Sequence, residues 1–464
     1  MKENNNLIEN NKLMENNKWM ENNKLMENNK LLENKKKRLD DLKKLMNLYG
    51  AGQLKLPRRG EHVNNHIHTT YSFSPYSPTL AAYTAWKNGL ATAGIMDHDS
   101  VGGLREFIQA GQIIGIPVTC GFEMRCCFKD TPFEGMRINN PDQDSVVYLA
   151  MHGIPHHKID EAEEFLNPYR KKRNQRNRLM VEKLSQIIRP SGLTLDFDTD
   201  VAPLSLHEDR GSITERHILF ALAGKIMDQI HPGPELVDFL KKHFNIDASG
   251  GPLDTDYSHS SSCCSDTCCS EEGPSPKELF MYRYHLLGVL KSYLVESFYI
   301  DATDELPSYK DFIALAKSLG AIPAYAYLGD VGTSVTGDKR SQAFEDAYLD
   351  ELVPFLKDAG FMAVTFMPTR NSKAQLDRIM DLCHQYQLFQ ICGEDINSPF
   401  QSFVCQALEQ EEFKHLIDGA WALIGHENSE KGMFAKGSEW TDWPIEKKVE
   451  HFSKIGKSLQ SNST

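Results

Sequence analysis

The sequence predicts an α/β barrel interrupted by a mostly helical insertion. Beyond Glu61, short apolar runs alternate with segments of helical periodicity, as expected of successive βα units. Several runs end in polar side chains, and barrel enzymes collect their functional residues at the C-terminal ends of parallel strands. The runs and their last polar residues are "VNNHIH" (His66, His68), "TAGIMDHD" (Asp97, His98, Asp99), "IPVTCGFE" (Glu123), "VVYLAMH" (His152), "AIPAYAYLGD" (Tyr327, Asp330), "MAVTFMPTR" (Arg370) and "LFQICGED" (Glu394, Asp395). We expect these strand ends to converge on one site.

A block with little strand signal lies between about residues 160 and 295. Asn167 and Pro168 resemble an N-cap and a first-turn proline, Gly192 ends the helix that follows, and another helix begins near Thr214. We interpret the block as a helical lid over the barrel mouth. The predicted divisions are a low-complexity repeat (1–36), a docking helix (37–60), the first part of the barrel (61–160), the lid with a Cys/Ser-rich loop (161–295), the second part of the barrel (296–430) and a tail (431–464).

The amino terminus carries a six-residue repeat, "LIENNK", "LMENNK", "WMENNK", "LMENNK", "LLENKK". Six residues advance a helix by about 600°, so the apolar pairs form no continuous stripe, and we expect a disordered or weakly helical extension. After Lys37 the spacing becomes helical and Gly50 follows the last apolar residue, which indicates a helix docked on the body. Its apolar residues are Leu39, Leu42, Leu45, Met46 and Tyr49.

Composition excludes several broad classes of protein. The chain has 464 residues, 40% of them hydrophobic, and a net charge of −13, which argues against a general nucleic-acid binder. No apolar run approaches the roughly 20 residues that span a bilayer, and no signal-peptide core is present, so we expect a cytoplasmic protein with no membrane partner. The ten cysteines resemble cytosolic thiols. Four of them form adjacent pairs unlike zinc-knuckle spacing, which favours a flexible loop over a metal or redox site: Cys263, Cys264, Cys268 and Cys269.

His66 and His68 are the first candidate metal ligands. Alternation along a strand puts both imidazoles on one face, which suits two ligands of one ion but also two polar residues on the wet side of a sheet. The candidate ligands at the strand ends are His66, His68, His98, Glu123, His152 and Asp395. Mixed imidazole and carboxylate sets suit Zn²⁺, Mn²⁺ or Fe²⁺, and Glu123 could bridge two such ions.

The ordered set of motifs resembles the polymerase-and-histidinol-phosphatase (PHP) family of metal-dependent phosphoesterases. The matching stretches are "NHIHTTYS", "GIMDHDSVGG", "GFEMR", "YLAMHGIPH" and "GEDINSP", and "RNQRNRLMVEKL" with "GSITERHILFALAGK" resembles the lid of its small-molecule members. The resemblance covers residues 61 to 426, most of the chain. It implies a distorted seven-stranded (β/α) TIM-like barrel that holds up to three metal ions.

Carried over residue by residue, the resemblance gives one complete metal position and two incomplete ones. The first position has His66, His68, Glu123 and Asp395. The second would share Glu123 and use His152, but Tyr327 stands where the family has a histidine. The third would use His98, but its other two ligands are replaced by Phe73 or Ser74 and by Asn397. We therefore expect one firmly bound divalent transition metal and a weaker second, with Glu394 or Asp330 as candidate replacement carboxylates.

Candidate phosphate-binding residues lie in three places. The run "YRKKRNQRNR" is by default a solvated helix face, although Arg170, Arg173 and Arg176 share one strip that could reach a phosphate. Arg216 and His217 are better candidates, since "TERHI" is the first turn of a helix, where the dipole favours an anion. Arg370 follows another strand.

These residues favour hydrolysis of a phosphate ester of a small metabolite or nucleotide by a metal-activated water. His98 or His152 would orient the phosphate or protonate the leaving oxygen. The alternative is a barrel with a partly degraded metal site that binds a ligand or partner with little or no turnover. A proofreading exonuclease is disfavoured because no polymerase module follows and the chain is acidic.

Overall fold

The computed structural model describes residues 31–255, 274–331 and 343–461. Most of the amino-terminal repeat and all four cysteines of the Cys/Ser-rich segment lie outside these ranges, so the predictions made for them stay predictions. Among the described residues, no helix combines the length and apolar character needed to cross a membrane.

A seven-stranded sheet with sequential strand order forms the centre of the molecule. The strands are β1 (Val63–Ile67), β2 (Thr92–His98), β3 (Val118–Cys127), β4 (Val146–His152), β5 (Ile322–Ala326), β6 (Ala363–Phe366) and β7 (Phe389–Cys392). Just after β7, a parallel bridge joins Ile396 to Ile67. His68 N donates to Ile396 O at 3.0 Å, and Ile396 N donates to His66 O at 3.1 Å. These bonds nearly close the sheet, which confirms the predicted α/β barrel.

One strand runs against the others. β4 pairs antiparallel with both β3 and β5, whereas the remaining neighbours pair in parallel. Ala150 lies opposite Glu123, so His152 lies two residues further along β4, toward the amino end of β3. The expectation that every run delivers its last residue to the same end of the barrel is therefore wrong for β4. The physical reason is that strand direction depends on the connection, and no helix connects β3 to β4.

Helices cover the outside of the sheet and form the lid. They are α1 (Leu31–Gly50), α2 (Pro78–Lys87), α3 (Leu104–Ile114), α4 (Ile159–Ile188), α5 (Glu215–Met227), α6 (Pro234–Phe244), α7 (Pro276–Phe298), α8 (Tyr309–Leu319), α9 (Leu349–Ala359), α10 (Lys373–Gln385), α11 (His415–Glu427) and α12 (Ile445–Ser461). N-capping residues in the sequence determine where several of these helices begin. Ser275, Ser308 and Ser372 each form a capping box with the residue three positions on.

The inserted helices α4 to α7 share a hydrophobic core of their own. Phe220, Tyr282 and Phe298 are buried in it, and Phe73 joins them from the loop after β1. The first lid helix begins earlier than expected, at Ile159, and Pro168 lies inside it. Asp160 and Glu161 in its first turn complement the helix dipole, which explains the earlier start.

The tail, for which the sequence reading made no structural prediction, contains α12. This helix packs closely on α11 because glycines stand where the two cross. A Cβ atom on Gly456 would lie 2.1 Å from Trp421 O, and one on Gly425 would lie 2.0 Å from Phe452 O. The helical spacing of Ile445, Val449, Phe452 and Ile455 was the available sequence signal.

Candidate metal centre

His66 and His68 project from the end of β1 on the same side. Their Nε2 atoms lie 3.2 Å apart. The backbone at this point is fixed by the bridge to Ile396, and His66 N also donates to Asn64 Oδ1 at 2.9 Å. Both imidazoles are buried, and His68 is wholly inaccessible to solvent. The structure therefore excludes the alternative of two polar residues on a wet face.

Two carboxylates from distant strands meet these imidazoles. Glu123 Oε2 lies 3.5 Å from His66 Nε2, and Glu123 Oε1 lies 3.4 Å from His68 Nε2. Asp395, three residues beyond β7, places Oδ1 3.1 Å from His68 Nε2. His66, His68 and Glu123 form a group whose ligand atoms all lie within 4.8 Å of one another. The four residues of the predicted first metal position are thus neighbours.

The donor atoms of His66, His68 and Glu123 have the spacing expected around a single ion, and Asp395 adds a close contact to His68. Ligands about 2.1 Å from a metal lie roughly 3.0 Å apart in octahedral geometry and roughly 3.4 Å apart in tetrahedral geometry. The four nearest separations in the cluster run from 3.1 to 3.5 Å. Two imidazoles and two carboxylates also form a set that divalent transition metals accept. These residues therefore fit the metal that the sequence predicts.

Hydrogen bonds behind His68 fix its tautomer. Its Nδ1 lies 3.3 Å from Ser72 Oγ, and Ser72 Oγ donates to Asp97 Oδ1 at 2.7 Å. Asp97 also accepts from the amide and the hydroxyl of Thr69, each at 2.6 Å. Since Asp97 draws the Ser72 proton, Ser72 Oγ can accept from His68 Nδ1–H. That arrangement leaves Nε2 as a lone-pair donor, as metal-binding histidines require.

His98 lies at the edge of the cluster. β2 and β3 pair so that His98 faces Glu123, and its Nδ1 lies 2.9 Å from Glu123 Oε1. Its ring stacks on His68 with centroids 4.6 Å apart. Unlike His68, it keeps 24% of its side chain exposed. His98 is therefore placed to contact both the carboxylate and a molecule in the adjoining cavity.

Opposite charges within the cluster lower the pKa values of its carboxylates and raise the pKa of His66. Burial alone would raise the pKa of Glu123, but His98 and His66 outweigh it and hold that pKa well below its usual range. Burial disfavours protonation of His66, yet Glu123 raises its pKa to about 9. Burial likewise opposes ionisation of Asp395, and His68 overcomes it to keep that pKa low. The carboxylates are thus ionised, whereas burial lowers the pKa of His68 and favours its neutral form, so the buried negative charge near His68 suits a bound cation.

His152 does not belong to the close group of His66, His68 and Glu123. It is buried, and among the described residues its Nε2 has no hydrogen-bond partner. Burial and the nearby His66 lower its pKa to about 3, and Glu123 opposes that shift, so His152 lies close enough to the cluster to feel its charges. Its part in a second metal position stays a prediction. Tyr148, from the middle of β4, pairs with Arg125 and lines the cavity beside His98.

Residues at the incomplete metal positions make other contacts. Tyr327 OH donates to Asp346 Oδ1 at 2.6 Å, and Asn397 Nδ2 donates to Asp395 Oδ1 at 2.7 Å. Phe73 packs edge-on against His217 in the lid core, and Ser74 Oγ accepts from Tyr76 N. The two candidate replacement carboxylates are also engaged elsewhere. Glu394 accepts from Thr369 Oγ1, and Asp330 Oδ1 accepts from Phe344 N.

A cavity of about 240 Å³ opens beside the cluster. His66, His98, Glu123 and Asp395 line one side of it. The lid and the barrel loops contribute four cationic side chains to the lining: Arg173, Arg216, Lys291 and Arg370. Two further carboxylates, Asp142 and Glu215, also line it. The cavity therefore combines the candidate metal ligands with cationic groups that suit an anionic ligand and with acidic groups near them.

The basic run of α4 is divided between a buried strip and an exposed face, which carries Lys171, Lys172 and Arg178. Arg170, Arg173 and Arg176 are each at least 93% buried. Arg173 pairs with Asp99, and Arg176 pairs with Glu215 at 2.9 Å and with Glu305 at 2.7 Å. The default expectation is wrong for these three residues. Arg173 and Arg176 enter the interior with acidic partners from distant segments, and Arg170 pairs with Glu163 on the same helix and donates to Asp99 O at 3.0 Å.

Arg216, His217 and Arg370 differ in what they offer. Arg216 and Arg370 line the cavity. His217 does not; its Nδ1 accepts from Thr214 N at 3.0 Å and completes a capping box at the start of α5. Burial lowers the pKa of His217 to about 3. We therefore assign His217 a structural role in capping the helix.

Sequence reasoning missed two basic residues in this region, Arg125 and Lys291. Arg125 follows Glu123 by two positions, so strand alternation could have placed both on one face. Arg125 pairs with Glu305 at 2.5 Å and lies 3.7 Å from Glu215. Lys291 lines the cavity from α7, and no local pattern singled it out.

No protein-family model and no curated protein matches this sequence. Solved structures with a similar fold include a chain described as an amidohydrolase from Chromobacterium violaceum, solved with bound sulfate and no metal. It is 16% identical over 74% of this chain and 90% of that one, with a TM-score of 0.47. Another, from Bifidobacterium adolescentis and provisionally named a metal-dependent phosphoesterase, is 19% identical over 77% and 96%, with a TM-score of 0.46. At these values neither similarity assigns a family or an activity.

Proposed function

We propose that this protein is a metal-dependent hydrolase that cleaves a phosphate ester of a small metabolite or nucleotide. One observation carries the proposal. The donor atoms of His66, His68, Glu123 and Asp395 converge at a cavity that is also lined by four cationic side chains. Metal ligands suit many hydrolases, but their combination with clustered guanidinium and ammonium groups favours a phosphorylated substrate.

The ligand set defines the metal. Two imidazoles with two carboxylates suit Zn²⁺, Mn²⁺ or Fe²⁺, whereas Mg²⁺ and Ca²⁺ prefer oxygen donors alone. When bound, such an ion would act as a Lewis acid that activates water near neutral pH. His98 also contacts Glu123, so a weaker second ion would share Glu123 and use His98.

Residues of the chain itself would bind the phosphate and protonate the leaving group. Arg173 and Arg370 both line the cavity, one from the lid and the other from the loop after β6. We assign them to the phosphate oxygens, where their charge would offset the negative charge of the transition state. His98 lines the cavity while Glu123 holds its Nδ1, so it is the candidate to protonate the leaving oxygen.

The lid limits the size of the substrate. Phe73, Arg216 and Val295 line the cavity from the lid side. Its volume of about 240 Å³ lies just below the range of roughly 300–1,000 Å³ typical of small-molecule sites. A compact phosphorylated metabolite fits such a space better than a polymer does.

A substrate panel tests the proposal. Metal-free protein would be supplied with Mn²⁺ and assayed against nucleotides and sugar phosphates, with amides and carboxylic esters as a matched panel. We expect phosphate release that disappears in His68→Ala. If the amides or carboxylic esters turn over instead, the site is a hydrolase centre of another class. If Mn²⁺ binds and nothing turns over, the non-catalytic binding barrel is the better description.

A further inference from the structure

A second group of metal-binding side chains lies outside the cavity. Cys120 comes from β3, His156 from the short turn after β4, and Glu427 from the last turn of α11. Each places a ligand atom within 4.8 Å of the others. Cys120 and Glu123 stand three positions apart on one strand, so their side chains point to opposite faces of the sheet. This group is therefore separate from the candidate metal centre.

Two of its polar atoms are buried without a hydrogen bond. Among the described residues, neither His156 Nε2 nor Glu427 Oε2 has a hydrogen-bond partner. The two atoms lie 3.5 Å apart, and the Glu427 side chain has no solvent exposure. A buried carboxylate oxygen with no donor is costly. Its nearest partner is the imidazole of His156 at 3.5 Å, and a cation bound to both atoms would replace that long ion pair with direct bonds.

A hydrogen bond to the backbone orients the Glu427 carboxylate toward His156. Cys120 N donates to Glu427 Oε1 at 2.8 Å, which leaves Oε2 facing His156. The adjacent His426 is fully used elsewhere. Its Nε2 lies 3.1 Å from Gly153 O, and its Nδ1 accepts from Met433 N at 2.8 Å. His426 therefore does not compete for a ligand at this position.

We propose that Cys120, His156 and Glu427 form a Zn²⁺ site that joins β3, the turn after β4 and the end of α11. Thiolate, imidazole and carboxylate are the three ligand types that zinc takes in proteins, and thiolate disfavours Mn²⁺. One thiolate and one carboxylate balance the charge of the dication, so the complex is neutral where it is buried. Water would take the fourth position.

Cobalt substitution tests the site in the full-length chain. A cysteine ligand gives Co²⁺ a thiolate-to-metal charge-transfer band in the near ultraviolet, and the candidate metal centre contains no cysteine. We expect the band in the wild type and in His68→Ala. It should be absent in Cys120→Ser. In His156→Ala, cobalt affinity should fall by more than the roughly 100-fold lost with an outer-shell partner.

Two controls isolate the proposed ligands. His157→Ala changes the adjacent, exposed histidine and should leave the band intact. Replacing Cys263, Cys264, Cys268 and Cys269 together with serine should also leave it intact. The proposal is overturned if the wild type shows no thiolate band or if the band survives Cys120→Ser. It is also overturned if His156→Ala binds cobalt as tightly as the wild type does. Because His156 is partly exposed, its variant remains informative even if Cys120→Ser fails to fold.

Discussion

The Nε2 atom of His68 lies 3.1 Å from Oδ1 of Asp395, although the two residues come from opposite ends of the barrel sequence. The contact exists because the chain after β7 bridges back to β1 through Ile396 and Ile67. Closure of the barrel therefore brings together the ligand pairs from β1 and from the segment after β7. Glu123, on β3, completes the set from a third position in the sheet.

Asp395→Asn should remove a ligand while keeping the shape of the side chain. We expect metal affinity to fall by at least about 100-fold, because loss of an outer-shell partner alone costs roughly 10- to 100-fold. Phosphate release should fall with it. Metal titration followed by a turnover assay measures both effects. Asp358→Asn, at an exposed position on α9, is the control, and equal losses in the two variants would refute the assignment.

Ser72→Ala should weaken metal binding without touching a ligand. Ser72 Oγ lies between His68 Nδ1 and Asp97, so its loss frees the imidazole to rotate or change tautomer. The expected cost is roughly 10- to 100-fold in metal affinity, measured by competition with a chelating dye. Ser74→Ala, in the same loop, should leave affinity unchanged. An unaffected Ser72→Ala would mean that this chain of hydrogen bonds does not orient His68.

Arg173→Ala should destabilise the fold far more than Arg178→Ala, although both residues belong to the same basic run. Arg173 is buried against Asp99, and removing it strands a buried carboxylate at a cost of about 3–5 kcal/mol. Arg178 pairs with Asp198 on the surface, where solvent screens the pair and its loss should change stability little. Urea unfolding of both variants measures the difference. Similar values would show that the run is solvated after all.

Glu345→Gln should flatten the pH dependence of stability. Glu345 is buried and accepts from the amides of Leu328 and Gly329, and burial raises its pKa from 4.5 to about 7. The folded state therefore binds this proton more tightly than the unfolded state does. The resulting stabilisation is fully present below pH 4.5 and is lost as the pH rises through about 7.

The measurement is the free energy of unfolding at pH 5 and pH 8. The wild type should lose up to about 3 kcal/mol more than Glu345→Gln over this interval. Glu351→Gln changes an exposed carboxylate of α9 and should behave like the wild type. Parallel pH profiles for the wild type and Glu345→Gln would show that Glu345 is ionised throughout.

Much of the barrel could be predicted because strand ends carry local signals. His66, His68 and Glu123 follow apolar runs, and β1 to β3 are parallel. The fold class therefore predicts that these three side chains lie at the same end of the barrel. The direction of β4 was predictable in principle. Parallel strands require a crossover connection, usually helical, and residues 128–145 contain turns and loops instead of a helix. Reading that segment would have indicated that Tyr148, from the middle of β4, lines the cavity.

The lid arginines could not be placed from their own segment. Whether Arg173 and Arg176 face solvent depends on Asp99, Glu215 and Glu305, and none of these lies within a helical turn of them. A charge run alone indicates only a polar face. The burial of Arg173 and Arg176 depends on these tertiary partners. The prediction of a solvated face was wrong because it used the local sequence alone.

Direct metal binding tests the central claim most sharply. Metal-free wild type and the His66→Ala/His68→Ala double variant would be titrated with Mn²⁺, which the cysteine-containing site disfavours. Circular dichroism would confirm that both are folded. We predict about one tightly bound Mn²⁺ per wild-type chain, in line with one complete ligand set, and no tight binding in the variant. Equal Mn²⁺ binding by both proteins, or none by the wild type, would contradict the account.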